Sequence, residues 1–189
     1  MIDFALVNAN QSSLKDSLAS RLEVGVDWAY RLTNVFSPEF VSKALAEFET
    51  NTQWNRIDLQ KHFDRRLILW KSDSVIEEAH MIFESCESEM SKLFNKPLKF
   101  SSVNFWQDGP TYTIRPHADT TTGKIAASIQ VYVGESGPLS GTELYKDGQV
   151  FYRFPWQENT GYVMNTVPES IHGMGNPGYT RHSIYAIYK

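Results

Sequence analysis

The chain has 189 residues, a formal net charge of −4 and a single cysteine. That length suits one domain with a substantial core, and the acidic balance supplies no strong counterion-release drive toward nucleic acid, so no nucleic-acid partner is expected. One cysteine excludes an intramolecular disulfide framework and fits a reducing, cytoplasmic compartment, while no run approaches the roughly 20 apolar residues that would cross a membrane.

In chain order, residues 1–25 are mixed and polar with little periodicity, and they lack the basic start and long apolar run of a signal peptide. Residues 27–36 (DWAYRLTNVF) read as a strand. Ser37 and Pro38 open a helix to about residue 50. Ser accepts at the N-cap, Pro at the first helical position loses no hydrogen bond, and Phe40, Val41, Ala44, Leu45 and Phe48 follow at helical spacing. Residues 65–71 (RRLILWK) read as a short strand.

A helix over 75–94 has the clearest period. Val75, Ile76, Ala79, Ile82, Phe83, Cys86, Met90, Leu93 and Phe94 form its apolar stripe, with Cys86 read as a core residue. Glu77, Glu78, Glu84, Glu87 and Glu89 form a face expected to be solvated. Ser72, Asp73 or Ser74 caps its start, and Pro97 follows its end.

After Pro97 the chain turns to short β-rich runs, at 99–107, 111–118, 125–133, 141–146, 149–154, 161–165, 170–174 and 181–188. Eight strands at this spacing predict a two-sheet sandwich or jelly roll, with the earlier helices packed on one outer sheet face. The chain reads as a single domain in which 1–98 is a helical and strand support region and 99–189 the core. In the run 125–133, Ser128, Gln130 and Tyr132 present one face and Ile129, Val131 and Val133 the other. Alternation alone does not choose which of the two looks inward.

One constellation carries chemistry. His117 and Asp119 lie two residues apart at the end of a strand, so they share a face and can grip one ion. His172 stands in a later short strand, and Arg181 opens the last strand, sharing its face with Ser183. Arg115 shares the face of His117 and carries no assignment. Each residue also has a plain structural reading. His62, His80 and His182 read as hydrogen-bonded structural histidines, Asp119 as a loop Asp closing an Asx turn, and Arg181 as the partner of a surface acid.

In this order, His117-x-Asp119, His172, Arg181 and Ser183 resemble the Fe(II)/2-oxoglutarate-dependent dioxygenases, prolyl-hydroxylase-like branch. Tyr112-x-x-x-Pro116-His117, Gly141-Thr142-Glu143-Leu144, Gly161-Tyr162-Val163-Met164-Asn165 and His172-Gly173 are similar to further family segments, and the resemblance covers roughly residues 100–188. It departs in one place. Trp106-x-x-Gly109-x-x-Tyr112 keeps the family's internal spacing, but His117 lies two residues further on.

The resemblance implies a mainly β (α+β) fold, a double-stranded β-helix (jelly roll) with N-terminal helices on one sheet. It implies His117, Asp119 and His172 as the facial ligands of Fe(II), a donor set that suits this ion. It implies 2-oxoglutarate as cosubstrate, with Arg181 as the cation for its far carboxylate, Ser183 adding a hydrogen bond and Tyr112 lining the same pocket. O2 is the oxidant and ascorbate a supportive reductant. The expected outcome is hydroxylation of a peptide side chain such as proline, or of a small metabolite, with release of succinate and CO2. Asp119 favours hydroxylation over halogenation, because halogenating relatives replace this carboxylate with a small residue. The family's nucleic-acid demethylating members carry a second Arg that this chain lacks. Two other readings stand beside this one: a cupin-like metal-binding protein, and an oxygenase fold retained as a catalytically degenerate scaffold.

Overall fold

A computed structural model describes residues 1–51, 54–56, 64–68, 73–134, 137, 141–175 and 178–189. His62, Ser72, the end of the 65–71 run and most of the loop at 134–140 lie outside the described residues.

The support region opens with a feature that the sequence pattern hides, a helix α1 over Phe4–Ala19. Its buried positions are Leu6, Val7, Asn10, Leu14, Ser17 and Leu18, a helical stripe interrupted by two polar residues. Both are satisfied locally. Asn10 Nδ2 donates to the Leu6 carbonyl at 2.8 Å, its Oδ1 accepts from Ser37 N–H at 2.7 Å, and Ser17 Oγ donates to the Thr33 carbonyl at 2.9 Å. Asp3 caps the helix by accepting from Leu6 N–H at 3.0 Å. The expected strand at 27–36 is shorter, as β2 (Ala29–Thr33), preceded by β1 (Leu22–Glu23). Phe36 beyond it exchanges both backbone bonds with the side chain of Asn159, at 2.8 and 2.7 Å.

Helix α2 (Pro38–Thr50) starts as expected, with Ser37 Oγ accepting from Phe40 N–H at 3.2 Å. Strands β3 (Trp54–Arg56) and β4 (Arg65–Ile68) follow. The long helix expected over 75–94 is two, α3 (Val75–Glu84), capped by Ser74, and α4 (Glu87–Leu93). At the break Ser85 Oγ donates to the Ile82 carbonyl at 2.7 Å, competing with the helical ladder there. The acidic face is not uniformly solvated. Glu78 is fully buried and pairs with Lys43, and it also accepts from Asp3 N–H at 3.1 Å.

The remaining strands are β5 (Phe100–Asp108), β6 (Ile114–His117), β7 (Ala127–Val133), β8 (Glu143–Lys146), β9 (Gln149–Arg153), β10 (Thr160–Asn165), β11 (His172–Met174) and β12 (Arg181–Tyr188). They build two antiparallel sheets in the jelly-roll manner. The large sheet runs β1-β2-β10-β7-β12-β5-β4-β3 and the small one β6-β11-β8-β9. The support region therefore extends the large sheet at both edges by four strands, of which β2 and β4 answer to the runs expected at 27–36 and 65–71 and β1 and β3 were not expected.

Strand β7 lies inside the large sheet and is buried throughout. Ile129, Val131 and Val133 join Ile184, Ala186 and Tyr188 of β12 in a core shared with the helices. Tyr188 Oη donates to the Phe83 carbonyl at 2.7 Å, fastening β12 to α3. The polar face of β7 therefore looks inward between the sheets. Tyr132 there packs with Leu144, Phe154, Trp156 and Tyr162. No helix among the described residues is long and apolar enough to cross a membrane.

Candidate metal centre

His117 ends β6, which is an edge strand of the small sheet, so Pro116 costs the ladder no donor there. Ala118 stays extended, and Asp119 then begins a one-turn 3-10 segment, Asp119–Thr122, closed by Gly123 in the left-handed region at φ 59°. This turn bends Asp119 back toward the histidine. Strand β11 pairs with β6 so that His172 stands directly opposite His117.

Three side chains thereby converge. His117 Nε2 lies 3.4 Å from Asp119 Oδ1 and His172 Nε2 lies 3.8 Å from Asp119 Oδ2. One ligand atom from each residue falls within 4.8 Å of the other two. The Nδ1 atom of His117 lies 2.9 Å from the Arg115 carbonyl, and that of His172 lies 3.0 Å from the Ser170 carbonyl. A carbonyl only accepts, so each Nδ1 carries the proton and each Nε2 presents its lone pair to the centre. Two neutral imidazoles fixed in this tautomer and one carboxylate fit a divalent metal of the ferrous type.

The charge distribution follows from position. When its Nε2 is also protonated, His117 hydrogen-bonds Asp119, which raises its pKa above the usual histidine value, and burial lowers that of His172. Burial works to raise Asp119, but the bond from His117 and the charge the rings carry when protonated outweigh it and hold the carboxyl below its usual range.

The centre opens into a cavity of about 200 Å³, much larger than the ~10–15 Å³ that one water needs. Besides the three ligand candidates its wall includes Arg65, Trp106, Gln130, Thr142, Tyr162 and Tyr185. Arg181, Ser183 and Tyr112 are not part of this wall. All three are buried. Ser183 Oγ accepts from Gln130 Nε2 at 2.9 Å, and Gln130 Oε1 accepts in turn from Thr142 Oγ1 at 3.3 Å. Tyr112 lies under the Arg65 guanidinium at 4.3 Å. Arg181 Nη2 is 3.6 Å from Asp108 Oδ2, and Arg65 grips the same carboxylate through Nε at 2.5 Å and Nη2 at 3.1 Å. Burial works to lower the pKa of Arg65, and Asp108 overrides it and raises it; for Arg181, burial prevails and lowers it.

The other described histidines stand apart from this cluster. His80 meets Phe100 edge-on at 4.7 Å, and His182 stacks on Phe48 at 4.5 Å beside Gln107. Arg115 is exposed. Arg65, Gln130, Thr142, Tyr162 and Tyr185 received no assignment from the sequence. Gln130 carried a signal, as the centre of a polar strand face, but Arg65 carried none.

No family model matches this chain, and no curated protein is similar to it in sequence. Solved structures are. An oxidoreductase of the 2OG-Fe(II) oxygenase family from Burkholderia pseudomallei superposes with a TM-score of 0.67 at 12% identity, over 95% of this chain and 89% of the other. A Pseudomonas putida prolyl-4-hydroxylase gives 0.70 at 13%, over 95% and 98%. A Trichoplax adhaerens prolyl hydroxylase, in complex with a hypoxia inducible factor peptide fragment, gives 0.71 at 10%, over 100% and 93%. At such identities the likeness is one of fold. This chain has the jelly-roll fold of the 2OG-Fe(II) oxygenases, prolyl hydroxylases among them, and carries within it a His-Asp-His cluster able to hold one metal ion.

Proposed function

We propose that this protein is an Fe(II)- and 2-oxoglutarate-dependent oxygenase that hydroxylates a peptide side chain, proline foremost, or a small metabolite, releasing succinate and CO2. The observation that carries the reading is the convergence of His117 Nε2, His172 Nε2 and the Asp119 carboxylate in the wall of one cavity, in a fold shared with such oxygenases. A structural role explains this poorly, because packing alone gives no reason to aim two imidazole lone pairs at one carboxylate.

His117, His172 and Asp119 would hold the ferrous ion, which when bound supplies the activation of O2 that drives oxidative decarboxylation of the cosubstrate and oxidation of the substrate. The protein's own part is positioning. The Arg115 and Ser170 carbonyls hold the Nδ1 protons, so the rings neither rotate nor change tautomer. The cosubstrate's far carboxylate is assigned to the end of the cavity backed by Arg181, Ser183 and Tyr112, where buried cationic charge favours an anion. Ile114, Ile125, Met174 and Trp106 give that cavity apolar wall and limit the water reaching the centre.

The whole chain is read as one domain, with 1–98 supporting and 99–189 forming the core. The single buried thiol, Cys86, supports a reducing, cytoplasmic setting. The test is turnover of 2-oxoglutarate. Protein supplied with Fe(II), ascorbate and O2 should form succinate slowly without substrate, and faster with the right proline peptide or metabolite. The His117→Ala variant should form none. Absence of both succinate and a 2-oxoglutarate-dependent metal-to-ligand absorption band in the wild type overturns the reading.

A further inference from the structure

The loop between β10 and β11 ends at the metal centre and lines a second cleft on the way there. Ser170 closes it as a tight turn: its N–H donates to the Val167 carbonyl at 3.0 Å, and its Oγ accepts from Val167 N–H at 3.2 Å. The Ser170 carbonyl then holds the Nδ1 proton of His172. Val167 and Glu169 of the same turn belong to the second cleft. It measures about 660 Å³, within the ~300–1,000 Å³ that ligand sites occupy.

The wall of this cleft is aromatic and acidic. Trp28, Tyr30 and Phe94 supply rings, those of Tyr30 and Phe94 lying 6.5 Å apart at 33°. Asp27 and Glu169 supply two exposed carboxylates, and neither is bonded or ion-paired to a described residue. No described basic residue is in the wall. Two cations stand beside it, and both are engaged. Arg21 donates to the Leu18 carbonyl at 3.1 Å, and Lys96 to the Ala126 carbonyl at 2.9 Å. Arg21 also lies over the Tyr30 ring at 4.8 Å, so a guanidinium already occupies one face of that ring. Rings beside unpaired carboxylates favour an organic cation, and a planar guanidinium stacks on them better than an ammonium does.

The cleft is also close to the chemistry. Glu169 precedes His172 by three residues, so their backbones are at most about 11 Å apart. A small metabolite held in the metal cavity does not span that distance, whereas an extended peptide covers it in about three residues. We propose that the cleft receives an arginine side chain of a proline-containing peptide substrate, about three to five residues from the proline presented to the metal centre. The substrate role rests on the oxygenase reading above; the guanidinium site itself does not.

The site is tested on the metal-free full chain by NMR titration with N-acetyl-arginine amide and with N-acetyl-citrulline amide, its uncharged isostere. The arginine derivative should shift the Trp28 indole N–H signal, identified by its loss in Trp28→Phe, and bind at least about threefold more tightly than the citrulline one. The doubly substituted Asp27→Asn, Glu169→Gln chain should lose this preference while keeping its melting temperature, since both positions are exposed. Equal binding of the two derivatives, no shift with either, or a preference retained in the double variant overturns the site. The substrate role is tested with Fe(II), ascorbate, O2 and 2-oxoglutarate. Proline peptides with arginine three to five residues away should stimulate succinate formation at a KM at least about threefold below their citrulline counterparts, and the gap should close in the double variant. Peptides that stimulate equally, or none that stimulates while slow succinate formation proceeds, overturn the substrate role. If no succinate forms at all, the oxygenase reading fails, and the NMR titration still decides the guanidinium site.

Discussion

His117 and His172 are direct cross-strand partners of β6 and β11, with ring centroids 4.6 Å apart and planes tilted by 47°. Neither ring is free to turn away, because each Nδ1 is bonded to the carbonyl two residues before it. Two imidazoles so placed are preorganised donors, and Asp119 closes the set at 3.4 and 3.8 Å.

Metal affinity should depend on all three. His172→Ala and Asp119→Ala should each weaken Mn(II) binding by at least about a hundredfold, the upper range seen for loss of even a supporting partner. Titration calorimetry reads this directly. His80→Ala, remote from the cluster against Phe100, should leave Mn(II) affinity unchanged.

The Arg65–Asp108–Arg181 row gives a stability prediction. Asp108→Asn leaves two buried guanidinium groups without their shared carboxylate, which should cost about 3–5 kcal/mol. Urea denaturation of the metal-free protein is the measurement.

At Gly161 a Cβ would stand 1.9 Å from the Gln130 carbonyl oxygen, a backbone atom that cannot move aside without parting β10 from β7. Gly161→Ala should therefore destabilise the fold by at least about 1–3 kcal/mol through overpacking. Thermal melting should show it, and the loss should be accompanied by weaker 2-oxoglutarate binding because Gln130 is displaced.

Cys86 provides a pH and reactivity test. Burial pushes its thiol up to about 12 from an ordinary 9.0. The folded chain holds this proton more tightly than the unfolded one. The stability it contributes is therefore fully present below pH 9.0 and is lost as the pH rises toward about 12. At pH 8 a disulfide reagent should leave the native thiol unmodified and label it only on unfolding.

The elements that were legible in the sequence share a local cause. Strands β5 to β12 show themselves because alternation and turn residues recur at short range, and α2 because Ser37 and Pro38 mark its start. Helix α1 escaped because Asn10 and Ser17 occupy core positions, and their partners Ser37 and Thr33 come later in the chain. The split between α3 and α4 escaped because the apolar stripe runs through it, while Ser85 breaks the ladder by a single side-chain bond.

For the site, the sequence by itself determined the ligand candidates. His117-x-Asp119 is a local pattern, joined by the end of β6 and the 3-10 turn that follows it, and its order with His172 and Arg181 is a property of the chain alone. Tertiary structure decided the rest. An alternating strand has two faces and no intrinsic inside, so Gln130 looks into the cavity only because the helices cover the face of Ile129 and Val131. Arg65 and Asp108 are 43 residues apart and meet only through the pairing of β4 with β5. A cation acquires a role in a pocket from the burial and neighbours that pairing creates, and neither is encoded in the residues beside it.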